Sequence, residues 1–220
     1  MKSEKEISKV IELVKKAVEK FENPIVTEVA DLTRDPFKVL ISCILSLRTK
    51  DQVTAKASKR LFELADNPYD MVKLDKRRIE KAIYPVGFYK TKAKRIKGIC
   101  KKLIEEYNGK VPDTIEELLR FKGVGRKTAA ITIVYGHKRA DYIPVDVHVH
   151  IITNRLGWVK TKNPDDTMHE LMRIVPKKYW YDLNDTFVKF GQNICVTISP
   201  FCSKCPIYEY CDRIGVTRSR

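Results

Sequence analysis

The sequence predicts an all-α fold of about ten helices, and three observations carry that expectation. Apolar residues recur at three- and four-residue steps over most of the chain. Pro and Gly interrupt that pattern at intervals suited to helices of moderate length, from Pro24 and Pro36 through Pro85–Gly87 and Gly109–Pro112 to Pro176 and Pro200. No stretch alternates apolar and polar residues for long enough to require a sheet, and Asp141–Val147 reads at most as a short extended connection.

The elements follow in order. Ile7, Val10, Ile11, Val14, Ala17, Val18 and Phe21 mark one buried face of an N-terminal helix. Phe37 to Leu47 is apolar nearly all round, which predicts a helix buried on most sides; its length argues against a strand. Ala93, Ile96, Cys100, Leu103 and Tyr107 share the inner face of another helix. Its other side is expected to carry Lys90, Lys92, Lys94, Arg95, Lys97, Lys101 and Lys102 as a cationic surface. Thr114 and Glu117 stand in capping-box register at the start of a short helix that ends at Leu118–Leu119. The N-terminal helix is expected to pack with the C-terminal ones, because the middle of the chain is the more self-contained run of short helices.

Charge narrows the function classes. Across 220 residues, 43 Lys and Arg stand against 28 Asp and Glu, a formal charge of +15. That excess favours a polyanionic partner, nucleic acid ahead of an anionic membrane, with a merely lysine-rich soluble surface as the competing reading. A chain that is 43% hydrophobic can bury a core, which excludes disordered and fibrous classes. No apolar run is long enough for a membrane span, and the charged start MKSEKEISKV lacks the apolar centre of a signal peptide. The expectation is a cytoplasmic, intracellular protein with no membrane partner. Two glutamines among abundant Lys, Glu and Ile point to a thermophilic source.

Three constellations carry chemistry. Cys195, Cys202, Cys205 and Cys211, spaced C-x6-C-x2-C-x5-C, can converge on one soft metal centre. Disulfides fit an intracellular chain with its own core poorly. Structural zinc competes, although its usual signature is two C-x2-C pairs; all-cysteine ligation at irregular spacing suits a [4Fe–4S] cluster. In the second, Gly123-Val124-Gly125 forms a tight turn between two helices, and Arg126 and Lys127 open the second. Such a turn aims backbone N–H groups and the positive end of a helix outward, an arrangement that binds phosphate. A plain helical hairpin would share the G-x-G alone. The third is Pro144-Val145-Asp146-Val147-His148-Val149-His150, where Asp146 enters an apolar helix as an N-cap, as a catalytic carboxylate, or as both. A two-residue spacing is poor for two ligands on one helix face, so His148 and His150 are not read as metal ligands.

Together these blocks resemble the endonuclease III family, helix-hairpin-helix DNA glycosylases and abasic-site lyases with an iron–sulfur cluster, of archaeal or thermophilic type. The resemblance runs from about Phe37 to Cys211 and rests on SLRTKDQVTAKA, GFYKTKA, GVGRKTA, VDVHVHIITNRLGW and the four-cysteine tail, in that order and spacing. It implies two helical lobes, residues 1–30 with 137–220 carrying a C-terminal [4Fe–4S] loop, and residues 31–136 as a six-helix lobe with the hairpin, the substrate cleft lying between them. Cys195, Cys202, Cys205 and Cys211 fall on the family's cluster ligands, Lys127 on its catalytic lysine and Asp146 on its catalytic aspartate. Gly123, Gly125, Arg126 and Thr128 correspond to its phosphate-holding hairpin, and Phe88 to an apolar wedge that is usually Leu. The implied partner is double-stranded DNA with a damaged or mismatched base, met by a monomer associated with the nucleoid.

The assignment of Lys127 makes chemical sense, because a lysine whose pKa stays near the free value of ~10.4 is protonated at neutral pH and needs positive surroundings and desolvation to become a nucleophile. The sequence also departs from the family pattern. Arg48 stands where a glutamine usually enters the gap opposite the flipped base, and arginine suits the O6 and N7 acceptors of guanine. Val147 replaces a Thr and Lys122 a Pro. The leading reading is a bifunctional glycosylase/lyase acting on oxidised pyrimidines such as thymine glycol. A thymine or uracil glycosylase for mismatches with G comes second, and a non-catalytic DNA-binding module is the alternative of a different class.

Overall fold

The computed structural model describes residues 2–220 and forms twelve α-helices with single 3-10 turns and one π turn. Among the described residues there is no strand, and no helix is long and apolar enough to cross a membrane. The sequence suggested about ten helices; a short one such as Pro68–Lys73 holds too few turns to show a period. The chain divides into two compact units, one made of residues up to Pro24 with Ala140–Arg220, the other of Ile25–Arg139.

The Ile25–Arg139 unit is built around α3 (Pro36–Ser46), which buries eight of its eleven residues from Phe37 to Leu45. Each such aliphatic or aromatic side chain contributes on the order of 1.5–3 kcal/mol, which makes α3 the core of this unit. Asp35 caps it, its carboxylate accepting the Phe37 N–H at 2.8 Å, and Pro36 sits in the first turn where a missing N–H costs nothing. Around it pack α2 (Ile25–Thr33), α4 (Asp51–Leu64), α7 (Tyr89–Tyr107) and α9 (Arg126–Ile131), with the π turn Thr132–Gly136 that continues α9. The smaller α5 (Pro68–Lys73), α6 (Lys76–Ile83) and α8 (Ile115–Leu118) close the outer side.

In the other unit, α1 (Glu4–Val18) buries Ile7, Val10, Ile11, Val14 and Val18 and packs against α12 (Leu183–Asn193). Also on α12 lies α10 (Val147–Arg155), flanked by α11 (Pro164–Ile174). The chain beyond α12 is a loop of two 3-10 turns, tied back to the N-terminus where the Lys2 ammonium meets Asp212 Oδ1 at 2.9 Å.

Candidate active site and nucleic-acid interface

The hairpin of the Ile25–Arg139 unit is set by local chemistry. The Thr114 hydroxyl accepts the Glu117 N–H and bonds the Glu117 carboxylate at 2.7 Å, starting α8. Phe121 and Val124 are buried and anchor the turn from within. Gly123 adopts φ +91°, a conformation that strains any residue with a Cβ. Gly125 is the N-cap of α9 and lies in open space, so backbone can be approached closely here. The N–H groups of Arg126, Lys127 and Thr128 are among those that a helix start leaves without intrahelical partners. Thr128 turns its side chain inward, so what it can offer a phosphate is its N–H.

Lys127 is exposed in the first turn of α9. Asp51, in the first turn of α4, lies within its electrostatic reach: burial pushes the Asp51 carboxyl up, while the Ile25 N–H and the Lys127 ammonium pull it back. Asp51 falls within the SLRTKDQVTAKA block, but its proximity to Lys127 follows only from the packing of α4 and α9 around α3.

Two residues that the sequence separates by forty positions meet on this unit. Arg48 lies between α3 and α4, and Phe88 is the N-cap of α7. Both are exposed, both have left-handed backbone (φ 53° and 57°), and the Arg48 guanidinium sits 5.8 Å from the Phe88 ring centroid. The lysine-rich face of α7 needs one correction. Lys92 does not belong to it; its side chain is buried, only 2% exposed, with its ammonium on backbone carbonyls at the C-terminal end of α3. Of the others, Lys97 donates to the Leu74 carbonyl and Lys101 pairs with Glu105, while Lys90, Lys94, Arg95 and Lys102 line a wide basic recess with Arg120 and Lys122 of the hairpin.

In the other unit Asp146 is 8% exposed and caps α10, its Oδ1 accepting the Val149 N–H at 2.9 Å. Asn184 of α12 fixes the approach by donating to the Pro144 carbonyl at 3.0 Å. Val147 beside it is exposed, and His150 bonds the Thr167 hydroxyl at 2.7 Å.

Cys195, Cys202, Cys205 and Cys211 form no disulfide and line one recess, walled by Ile152, Leu156, Phe190, Phe201 and Ile207. Burial pushes the Cys195 and Cys211 thiols up and Cys205 to about 11. Four thiolates in such a wall need a cationic centre to neutralise them, which fits a soft metal group.

Arg155, which no motif singled out, braces this loop from α10. Its guanidinium donates to the carbonyls of Cys195, Val196 and Thr197 and to Cys195 Sγ at 3.3 Å, and the Arg155 carbonyl accepts from Cys211 Sγ at 3.4 Å. The same guanidinium pulls the Cys195 thiol back toward ionisation.

The family model for HhH-GPD superfamily base excision DNA repair proteins matches residues 41–177. The chain is 45% identical over 178 residues to endonuclease III of Thermotoga maritima, covering 81% of this chain and 83% of that one. A solved trapped covalent intermediate of endonuclease III with DNA, an estranged-adenine complex, has a TM-score of 0.85 at 31% identity over 97% of both chains. A thermostable thymine-DNA glycosylase shares the fold, with a TM-score of 0.83 at 24% identity over 95% of this chain and 96% of that one. The chain belongs to the HhH-GPD superfamily of base excision DNA repair proteins and, within it, to the endonuclease III family.

Proposed function

We propose that the chain, a base excision repair DNA glycosylase and abasic-site lyase acting on double-stranded DNA, removes oxidised pyrimidines such as thymine glycol and nicks the strand through a lysine Schiff base. The observation that carries this reading is Lys127, an exposed amine in the first turn beyond a glycine hairpin fit to grip phosphate. The covalent endonuclease III–DNA intermediate of similar fold supports it, since covalent capture requires a nucleophile.

The damaged nucleotide leaves the duplex stack. The lone pair of Lys127 Nζ attacks the sugar C1′; the glycosidic bond breaks and the base departs with its electrons and a proton. Asp146 stabilises positive charge developing on the sugar and helps take the proton that releases the amine. The C1′–O4′ bond then breaks as the nitrogen lone pair forms the C=N bond and O4′ takes up a proton, leaving the ring-opened sugar as a Schiff base on Lys127. Loss of a C2′ proton expels the 3′ phosphate, which cuts the strand. Gly123, Gly125, Arg126 and the Thr128 N–H hold the neighbouring phosphate. Phe88 fills the space left by the extruded base, and Arg48 addresses the base that stays behind. Arg48 also favours a second reading, removal of T or U opposite G. Borohydride trapping on duplexes carrying thymine glycol, T opposite G, U opposite G and undamaged T opposite A tests both, and the fastest duplex names the substrate.

Cys195, Cys202, Cys205 and Cys211 would hold a [4Fe–4S] cluster, which when bound cross-links the loop rather than performing the cut. Arg155→Met should lower cluster retention about tenfold or more, the usual scale for a group bonded to a metal ligand; visible absorption and iron content check this.

The basic recess beside the hairpin supplies charge for the strand. Each of Lys90→Ala, Lys94→Ala and Lys122→Ala should weaken duplex binding whatever the sequence and lower the slope of log K against log salt by roughly one, measured by anisotropy titration.

A further inference from the structure

Lys92 stands four residues into α7, between two cationic neighbours on the recess, yet it is 2% exposed. Its ammonium donates to the Leu45 carbonyl at 2.8 Å, to the Leu47 carbonyl, and to the Thr49 hydroxyl at 3.2 Å. Leu45 and Leu47 lie at the C-terminal end of α3, where carbonyls lack helical partners and a cation is favoured. The Thr49 hydroxyl also accepts the Gly87 N–H at 3.2 Å, joining the segment that carries Arg48 to the one that carries Phe88. The two backbones touch there: a Cβ on Gly87 would lie 2.8 Å from the Arg48 carbonyl oxygen.

A positive φ is uncommon for arginine and an outlier for a residue as bulky as phenylalanine. Such conformations persist only where the surroundings over-determine them. A buried amine is also costly, and burial, then Arg95, pushes the Lys92 pKa down to about 8. Those costs are offset by three hydrogen bonds, two of them to Leu47 and Thr49 on either side of Arg48. A methionine or leucine would fill the same space without the desolvation penalty, so packing alone gives no reason for a lysine here.

We infer that Lys92 is a positioning residue for opposite-base recognition: through the α3 carbonyls and Thr49 it clamps the Arg48 and Phe88 segments into one rigid reading head. This rests on the proposed role of Arg48. Without the clamp, Arg48 becomes one mobile surface arginine, and the guanine it reads loses its advantage over other opposite bases.

The test compares cluster-loaded full chains carrying Lys92→Met, Thr49→Val, Arg48→Ala, and Lys92→Met with Arg48→Ala. Each meets a thymine glycol duplex with G or A opposite the lesion. Discrimination is the ratio of kcat/KM for G to that for A, with kcat and KM resolved. Arg48→Ala should lower it about tenfold, the scale of one bidentate base contact. Lys92→Met and Thr49→Val should lower it in the same direction, chiefly through KM on the G duplex. Lys92→Met should lower it no further in the Arg48→Ala background. If Arg48→Ala erases discrimination while Lys92→Met and Thr49→Val leave it intact, or depress both duplexes equally, the clamp is overturned and the Arg48 reading stands. If Arg48→Ala leaves the ratio unchanged, the Arg48 reading falls and the clamp with it. Should Lys92→Met fail to fold, Thr49→Val decides, since it removes one hydroxyl at constant volume.

Discussion

Lys127→Gln should abolish borohydride capture of DNA and lower strand cleavage by on the order of 10³-fold or more, the scale seen when a covalent nucleophile is removed. Glutamine keeps most of the side chain's length and loses the amine, so no Schiff base can form. Lys127 is exposed and α9 is held by the buried Thr128, Ala129, Ala130 and Ile131, so the variant should fold with a stability change within about 0.5 kcal/mol. Binding to the abasic duplex should persist, weakened by the loss of one cation. Denaturing gels with and without reductant, beside an anisotropy titration, read these three quantities. Retained capture would move the nucleophile elsewhere. Retained binding without cleavage would dispose of the reading in which Lys127 is one more phosphate contact.

At Asp146 two substitutions separate what a single one confounds. The carboxylate already has a structural job, capping α10 through the Val149 N–H. Asparagine is as good an N-cap, so Asp146→Asn should preserve the melting temperature while lowering the base-removal rate by roughly 10²- to 10⁴-fold, the usual range for a lost acid–base group. Asp146→Ala should show the same kinetic loss together with about 1 kcal/mol of destabilisation from the missing cap. Single-turnover rates and thermal melts for both variants check this. A normal rate in Asp146→Asn would leave the residue a cap and nothing else.

Several parts of the site were legible along the chain because their causes are local. The Phe37–Leu47 apolar run announced the buried α3, and the three- and four-residue spacing announced α1. Thr114 with Glu117 and the position of Asp146 before an apolar helix announced two helix starts, since capping is a contact across three residues. Glycines flanking one valine announced the hairpin. Residues such as Lys92 and Arg155 could not be read this way. Lys92 lies in a run of lysines and looks like its neighbours, yet two carbonyls forty-odd residues earlier draw it into the core. Arg155 looks like an ordinary cation in the last turn of α10, yet it braces a loop forty residues on.

The division has one physical reason. Helices, caps, the glycine turn and the four-thiol ligand set arise from interactions within a few residues, and the sequence displays those directly. Whether a cation is solvated or buried, which side chains stand beside Lys127, and whether Arg48 meets Phe88 depend on which distant backbone groups lie within hydrogen-bond reach. Chain folding around α3 and around α12 sets those distances.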